Sequence, residues 1–350
     1  MSSSGRQDLA EGALGVALLH IQRCDSERAR ACITAAIADG VSTGANACLY
    51  HGAPAVEFVL RCAGQDNAAV SEQVDRVVVR RLSLAHHRRR VNPDPVVELA
   101  DFDLIRGLTG LGALLLFRDS PPDLLTEVLA YLVALAQPRP DGLPGWWCAF
   151  GPDQDPDQGG HSNNGMAHGI AGPLALLALA ARAGITVAGQ LDAIRVCDSW
   201  LAKHDGSYWT IRRQFDNPSP PPPARPSWCY GALGVARARQ LAAIALGEDA
   251  LRRSAEDVAL TALNDPHTIG RINDAGLCHG WAGLLTVTRA LAADSTEPAR
   301  FDNTCTGLER ALIADFDRLT KPGFLEGRAG AELAMAGPDT TGWTRALLIT

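Results

Sequence analysis

Aromatic residues are scarce. Trp, Tyr and Phe make up only 5% of the chain, too few for the aromatic-walled sites that isoprenoid or sugar ligands require. A basic excess is also missing: 32 Lys and Arg face 39 Asp and Glu, giving a formal net charge of -7. Without a broad positive surface, a general nucleic-acid binder is excluded. No Cys-x-x-Cys pair occurs, so no pre-spaced metal or redox motif can be read directly. The longest apolar run, residues 169–185, is broken by Gly172, Pro173 and Arg182. It reads as a buried core helix, and no integral membrane segment is expected. A secretory signal is lacking, because Met1-Ser-Ser-Ser-Gly5 is polar and leads straight into an ordinary segment. The nine cysteines are scattered and odd in number. They are expected as reduced thiols in a cytoplasmic protein.

What is present is length, apolar content and repetition. The 350 residues are 47% apolar, with Ala and Leu foremost, and 20% charged, the profile of a helix-rich globular protein. A Gly-x-x-Gly pattern recurs before apolar runs, at Gly12–Gly15, Gly107–Gly110, Gly169–Gly172, Gly231–Gly234, Gly280–Gly283 and Gly327–Gly330. A degenerate copy, Gly52-Ala-Pro-Ala55, fills the gap after the first. The resulting seven units are spaced by roughly 40 to 62 residues, room for two helices each, as in residues 124–136 and 174–183. Alternating strand patterns are scarce. Repeated helix pairs of this period predict an all-α solenoid or closed ring. One toroid of about seven hairpins would use residues 1–350 as a single domain.

If the turns are equivalent, the residues before each first glycine converge at one end of the ring. Those pairs are Tyr50-His51, Ile105-Arg106, Ala167-His168, Cys229-Tyr230, Cys278-His279 and Leu325-Glu326. Cys229, Cys278 and His279 form a soft three-donor set of the kind zinc accepts in catalytic sites, with a fourth position open. In isolation the two cysteines would read as ordinary buried thiols, and only their shared register favours a metal. His168 could act as a general acid or base, or be a hydrogen-bonded structural histidine. Asp103 could orient a neighbour or cap a helix. Arg225 could stabilise a developing oxyanion or lie on the surface of a proline-rich loop. Three segments interrupt the helices: residues 138–160, rich in Pro, Gly and Trp; the proline-rich approach 217–227; and the basic run 80–90. The basic run reads as a solvated helix face, with peptide docking as the alternative.

Asn164–Gly172, Trp228-Cys-Tyr-Gly231 and Cys278–Gly283 resemble, in this order, the signature motifs of the lanthionine synthetase C-like family, and Asp103–Gly110 is similar to an earlier motif. The resemblance implies an α/α toroid and a zinc-dependent peptide cyclase of lantibiotic-type biosynthesis, holding one zinc per chain. Such enzymes add cysteine thiols of a precursor peptide to dehydroalanine or dehydrobutyrine, forming lanthionine or methyllanthionine. By position, Cys229, Cys278 and His279 would hold zinc, and His168 would be the acid or base. Asp103, Arg225 and Tyr230 would complete the site. The expected partners are a dehydrated, leader-bearing precursor peptide and a separate dehydratase. Gly52-Ala-Pro-Ala55 departs from the repeat and could alter that side of the rim. Two other readings keep the fold: addition of glutathione or another small thiol to dehydrated residues, or a non-catalytic toroid that only binds the peptide.

Overall fold

The computed structural model describes residues 7–91, 97–151, 159–204, 209–216 and 225–350. Most of the proline-rich approach and the centre of the 138–160 segment lie outside these residues.

Two kinds of helix alternate along the chain, and the glycine turns decide which is which. The first kind is largely apolar and starts within two residues of such a turn: α1 (Ala13–Gln22), α3 (Ala53–Cys62), α5 (Leu108–Leu116), α7 (Ala171–Arg182), α9 (Ala232–Leu246), α11 (Trp281–Ala293) and α13 (Arg328–Met335). In α5 every residue from Leu108 to Leu115 is buried, as a helix surrounded by other helices must be. The second kind carries charge on one face: α2 (Ser26–Ile37), α4 (Ala68–Val91), α6 (Asp123–Leu135), α8 (Gln190–Lys203), α10 (Asp249–Asn264) and α12 (Asp302–Asp315). Each packs outside the apolar helix before it.

Neighbouring apolar helices touch in sequence order, and α13 returns to touch α1. The architecture is therefore an all-α toroid with, among the described residues, seven inner and six outer helices. Among them no outer helix follows the seventh inner one. Its chain runs instead through Trp343–Leu347, a short 3-10 helix. Tyr50 Oη donates to the carbonyl of Ala346 at 2.7 Å, Trp228 Nε1 to Leu347 at 2.9 Å and Arg237 Nε to Ile349 at 2.8 Å. These donors come from the second and fifth units, so the segment fills the interior and ties across the ring. Residues 124–136 and 174–183 belong to different pairs, as outer helix α6 and inner helix α7.

The glycine repeat has a common cause. An ideal Cβ on the second glycine would meet a carbonyl oxygen six residues earlier: 2.0 Å for Gly110, Gly234 and Gly283, 2.2 Å for Gly15 and 1.8 Å for Gly330. Inner helices start so close to the preceding turn that no side chain fits. The turns are then stitched together by backbone bonds. Leu104 N–H donates to Ala167, Ala167 to Cys229, Cys229 to Cys278, Cys278 to Leu325, Leu325 to Ala10, and Leu9 to Tyr50, all at 2.8–3.2 Å. Among the described residues no bond of this kind joins the second turn to the third, which is where Gly52-Ala-Pro-Ala55 departs from the repeat.

The basic run 80–90 lies in α4 and is occupied within the protein. Arg80 and Arg81 donate to carbonyls of residues 44–47, and Arg88 pairs with the buried Asp101. It is thus a structural anchor for the 42–51 loop rather than a bare solvated face. No described helix is long and apolar enough to cross a membrane, and all nine cysteines are free thiols.

Candidate metal centre and active site

The relay of turn-to-turn bonds sets the geometry of the site. Cys229 ends the turn before α9, and Cys278-His279 the turn before α11. One ligand atom from each of Cys229, Cys278 and His279 falls within 4.8 Å of the others. Cys229 is 4% exposed, and Cys278 is half-buried. A hydrogen bond from Cys278 holds the Cys229 thiol well below its ordinary range, opposed by burial and helped by His279 and Ser227. Cys278 is pushed up, first by that same bond and then by burial and the Cys229 charge. His279 is also raised, chiefly by its hydrogen bond to Cys229. Two thiols and an imidazole thus share protons in a space one cation can occupy. The softness of the donors, their number and their convergence fit zinc with an open position.

His168 and Asp103 sit on the next two turns of the rim. His168 Nδ1 lies 2.6 Å from Asp103 Oδ2. Asp103 is fully buried, and its other oxygen accepts the amides of Arg106 at 2.6 Å and Gly107 at 2.7 Å. One carboxylate therefore caps its own turn and fixes an imidazole on another. The His168 side chain keeps 27% of its surface exposed. Its ring stacks on Tyr230 with centroids 5.9 Å apart and planes 28° apart. Burial first, and then the Cys229 charge, push the Tyr230 phenol up to about 12 against a hydrogen bond from Asn163. Tyr230 is a neutral hydroxyl at physiological pH. Arg225 is half-buried, and its positive charge reaches His279, where it opposes protonation.

The structure thus brings Asp103, His168, Arg225, Tyr230, Cys229, Cys278 and His279 to one end of the ring. It adds two residues that sequence reasoning missed. Asp274 Oδ2 lies 3.3 Å from His279 Nε2, while its Oδ1 accepts the Gly276 amide at 2.8 Å. Asn163 repeats the arrangement, accepting the Gly165 amide at 3.0 Å and bonding Tyr230. A signal was available: Asn163-Asn-Gly-Met-Ala-His-Gly169 and Asp274-Ala-Gly-Leu-Cys-His-Gly280 share an Asn or Asp two residues before a glycine and five before a histidine. That side chain closes a local turn onto the amide two residues on.

Comparison with known proteins now decides the family. The sequence matches the lanthionine synthetase C-like protein family over residues 3–348. The chain belongs to the lanthionine synthetase C-like family. Among curated relatives it is similar to the nisin biosynthesis protein NisC of Lactococcus lactis subsp. lactis, 24% identical over 273 residues. That alignment covers 71% of this chain and 64% of the relative, so the chain spans less than two thirds of the relative's length. Among solved structures it resembles a nisin cyclase with a TM-score of 0.82 at 20% identity, covering 99% of this chain and 92% of the other. The shared fold is the α/α toroid. In this lanthionine synthetase C-like chain the motifs around His168, Cys229 and Cys278 lie on three consecutive turns, joined by the Ala167–Cys229 and Cys229–Cys278 backbone bonds.

Proposed function

We propose that this protein is a zinc-dependent lanthionine or methyllanthionine cyclase, a single cytoplasmic domain spanning residues 1–350. Its substrate is a dehydrated, leader-bearing precursor peptide made by a separate dehydratase. The observation that carries this reading is the pairing of a three-donor metal group with a carboxylate-oriented histidine on the adjoining turn. A metal-binding or scaffolding toroid needs the first and not the second.

Cys229, Cys278 and His279 would hold one zinc per chain. When bound there, zinc lowers a thiol's pKa, so that a peptide cysteine reacts as thiolate at neutral pH. Asp274 Oδ2 lies 3.3 Å from Nε2 of His279, placed to support that nitrogen while Nδ1 takes the metal. The reaction joins the peptide sulfur to the β-carbon of the dehydro residue, and the thiol proton is balanced by one delivered to the α-carbon. His168 supplies that proton. Asp103 holds its Nδ1, so Nε2 is the nitrogen turned to substrate. Arg225 lends positive charge to the carbonyl oxygen that becomes enolate-like, and the neutral Tyr230 donates a hydrogen bond beside it.

The test uses a dehydrated peptide carrying a free cysteine. Ring closure leaves its mass unchanged and removes the thiol from alkylation. A rise by the mass of added glutathione would move the reading to small-thiol addition. Retained thiols with metal-loaded protein would reject the cyclase reading and leave a binding toroid.

A further inference from the structure

Between the outer helix α8 and the turn carrying Arg225, residues 209–211 pair back onto residues 161–163. β1 (His161–Asn163) and β2 (Trp209–Ile211) form an antiparallel ribbon in the register His161 with Ile211, Ser162 with Thr210 and Asn163 with Trp209. Side chains of paired residues share a face and alternate along each strand. One face is buried. Ser162 Oγ accepts Trp146 Nε1 at 2.8 Å, Asn164 Oδ1 accepts Trp200 Nε1 at 3.0 Å, and Thr210 is 2% exposed. The other face carries His161 and Asn163, both buried, with Ile211 and Trp209 opposite them.

That second face is continuous with the reaction site, because Asn163 bonds the Tyr230 phenol and Tyr230 stacks on His168. A directly opposed cross-strand pair has Cβ atoms about 4.5–5.5 Å apart, which sets Trp209 one side chain away from that phenol. Trp209 is 37% exposed, more than any other tryptophan in a chain with only seven. Ile211, two residues on and on the same face, is half-buried. A ribbon whose inner face is packed on Trp146 and Trp200 is a rigid mount for an exposed aromatic.

We propose that Trp209, extended by Ile211, is a subsite for the peptide backbone and apolar side chain that flank the reacting dehydro residue. The proposal rests on the cyclase reading for what the peptide is. A flat, partly exposed indole one side chain away from the Tyr230 phenol gives apolar area without a fixed sequence requirement, which suits a chain that must present several reacting positions in turn. The partner is an extended peptide with an aliphatic or aromatic residue next to dehydroalanine.

Binding separates this proposal from the chemistry. Two unreactive synthetic peptides are titrated calorimetrically into zinc-loaded protein, both with Ala for dehydroalanine and Ser for cysteine, one flanked by Leu and one by Ser. Wild type is expected to prefer the Leu peptide, and Trp209→Ala to lose roughly tenfold, about 1.4 kcal/mol, on that peptide only. Trp209→Phe should keep most of the affinity. With the reactive Leu-flanked peptide the loss should appear in KM, with kcat within about twofold. Equal affinities of wild type and Trp209→Ala for the Leu peptide would overturn the subsite. So would equal losses on both peptides, which would mean that Trp209 only supports the ribbon. Preferential binding of the Leu peptide without any ring closure of its reactive counterpart would sink the cyclase reading and leave the subsite standing.

Discussion

The amide of Cys229 donates to the carbonyl of Cys278 at 3.2 Å. Two residues from successive repeats are thereby fixed side by side by their backbones, before any metal or side-chain contact is counted. The same bond type continues from Ala167 to Cys229 and from Cys278 to Leu325. The candidate metal donors and the turn carrying His168 are thus members of one stitched rim, and disturbing the rim should disturb the site.

The second glycine of a repeat tests that link. In Gly283→Ala the new Cβ would sit 2.0 Å from the Leu277 carbonyl, and the α11 start with Cys278 would have to move. A loss of about 1–3 kcal/mol in denaturant unfolding is expected, with weaker zinc binding. The control is Gly307→Ala in α12, where nothing lies within 4 Å of the added carbon. There stability should hold or rise by up to about 1 kcal/mol. Equal effects at both positions would reject the close-approach account.

Metal content tests the donor set. Wild type is expected to carry about one zinc per chain, and Cys278→Ala to lose it. Asp274→Asn should keep the stoichiometry at saturating zinc and weaken affinity about 10–100-fold against a chromophoric chelator. An unchanged affinity would remove Asp274 from the metal's support.

Asp103→Asn separates orientation from metal binding. The amide can still accept from Arg106 or Gly107, but it can no longer hold His168 as a carboxylate does. Ring formation is expected to fall about 10²–10³-fold in kcat with zinc content unchanged, and His168→Ala to fall at least as far. Normal kcat in His168→Ala would exclude it as the proton donor.

The interior segment has its own test. Tyr50→Phe removes the donor to the buried Ala346 carbonyl and leaves that carbonyl unpaired. The expected cost is about 1–3 kcal/mol of unfolding free energy, read by denaturant titration, with zinc stoichiometry retained. A neutral result would show that the segment does not brace the ring through this bond.

Much of the toroid was legible because its causes are local. Gly-x-x-Gly before an apolar run marks where an inner helix must start against another backbone, and the helices between those turns are the outer ones. The seventh unit reads in the sequence as a full helix pair, but in place of an outer helix its chain runs through an interior segment held through carbonyls of residues 346–349, and carbonyl bonds leave no side-chain signature. Asp274 and Asn163 were hidden for a different reason. Their spacing to glycine and histidine is visible, but the same pattern describes an ordinary turn.

By itself the sequence determined the repeat, the register of Cys229, Cys278, His279 and His168, and the chemistry those side chains offer. Only the tertiary structure decided that the last inner helix meets the first, that Asp103 reaches His168 from another turn, and that Asp274 stands behind His279. The physical reason is range. Glycine spacing and hydropathy act over a few residues of one chain segment, whereas a shared site depends on backbone bonds between turns far apart in sequence.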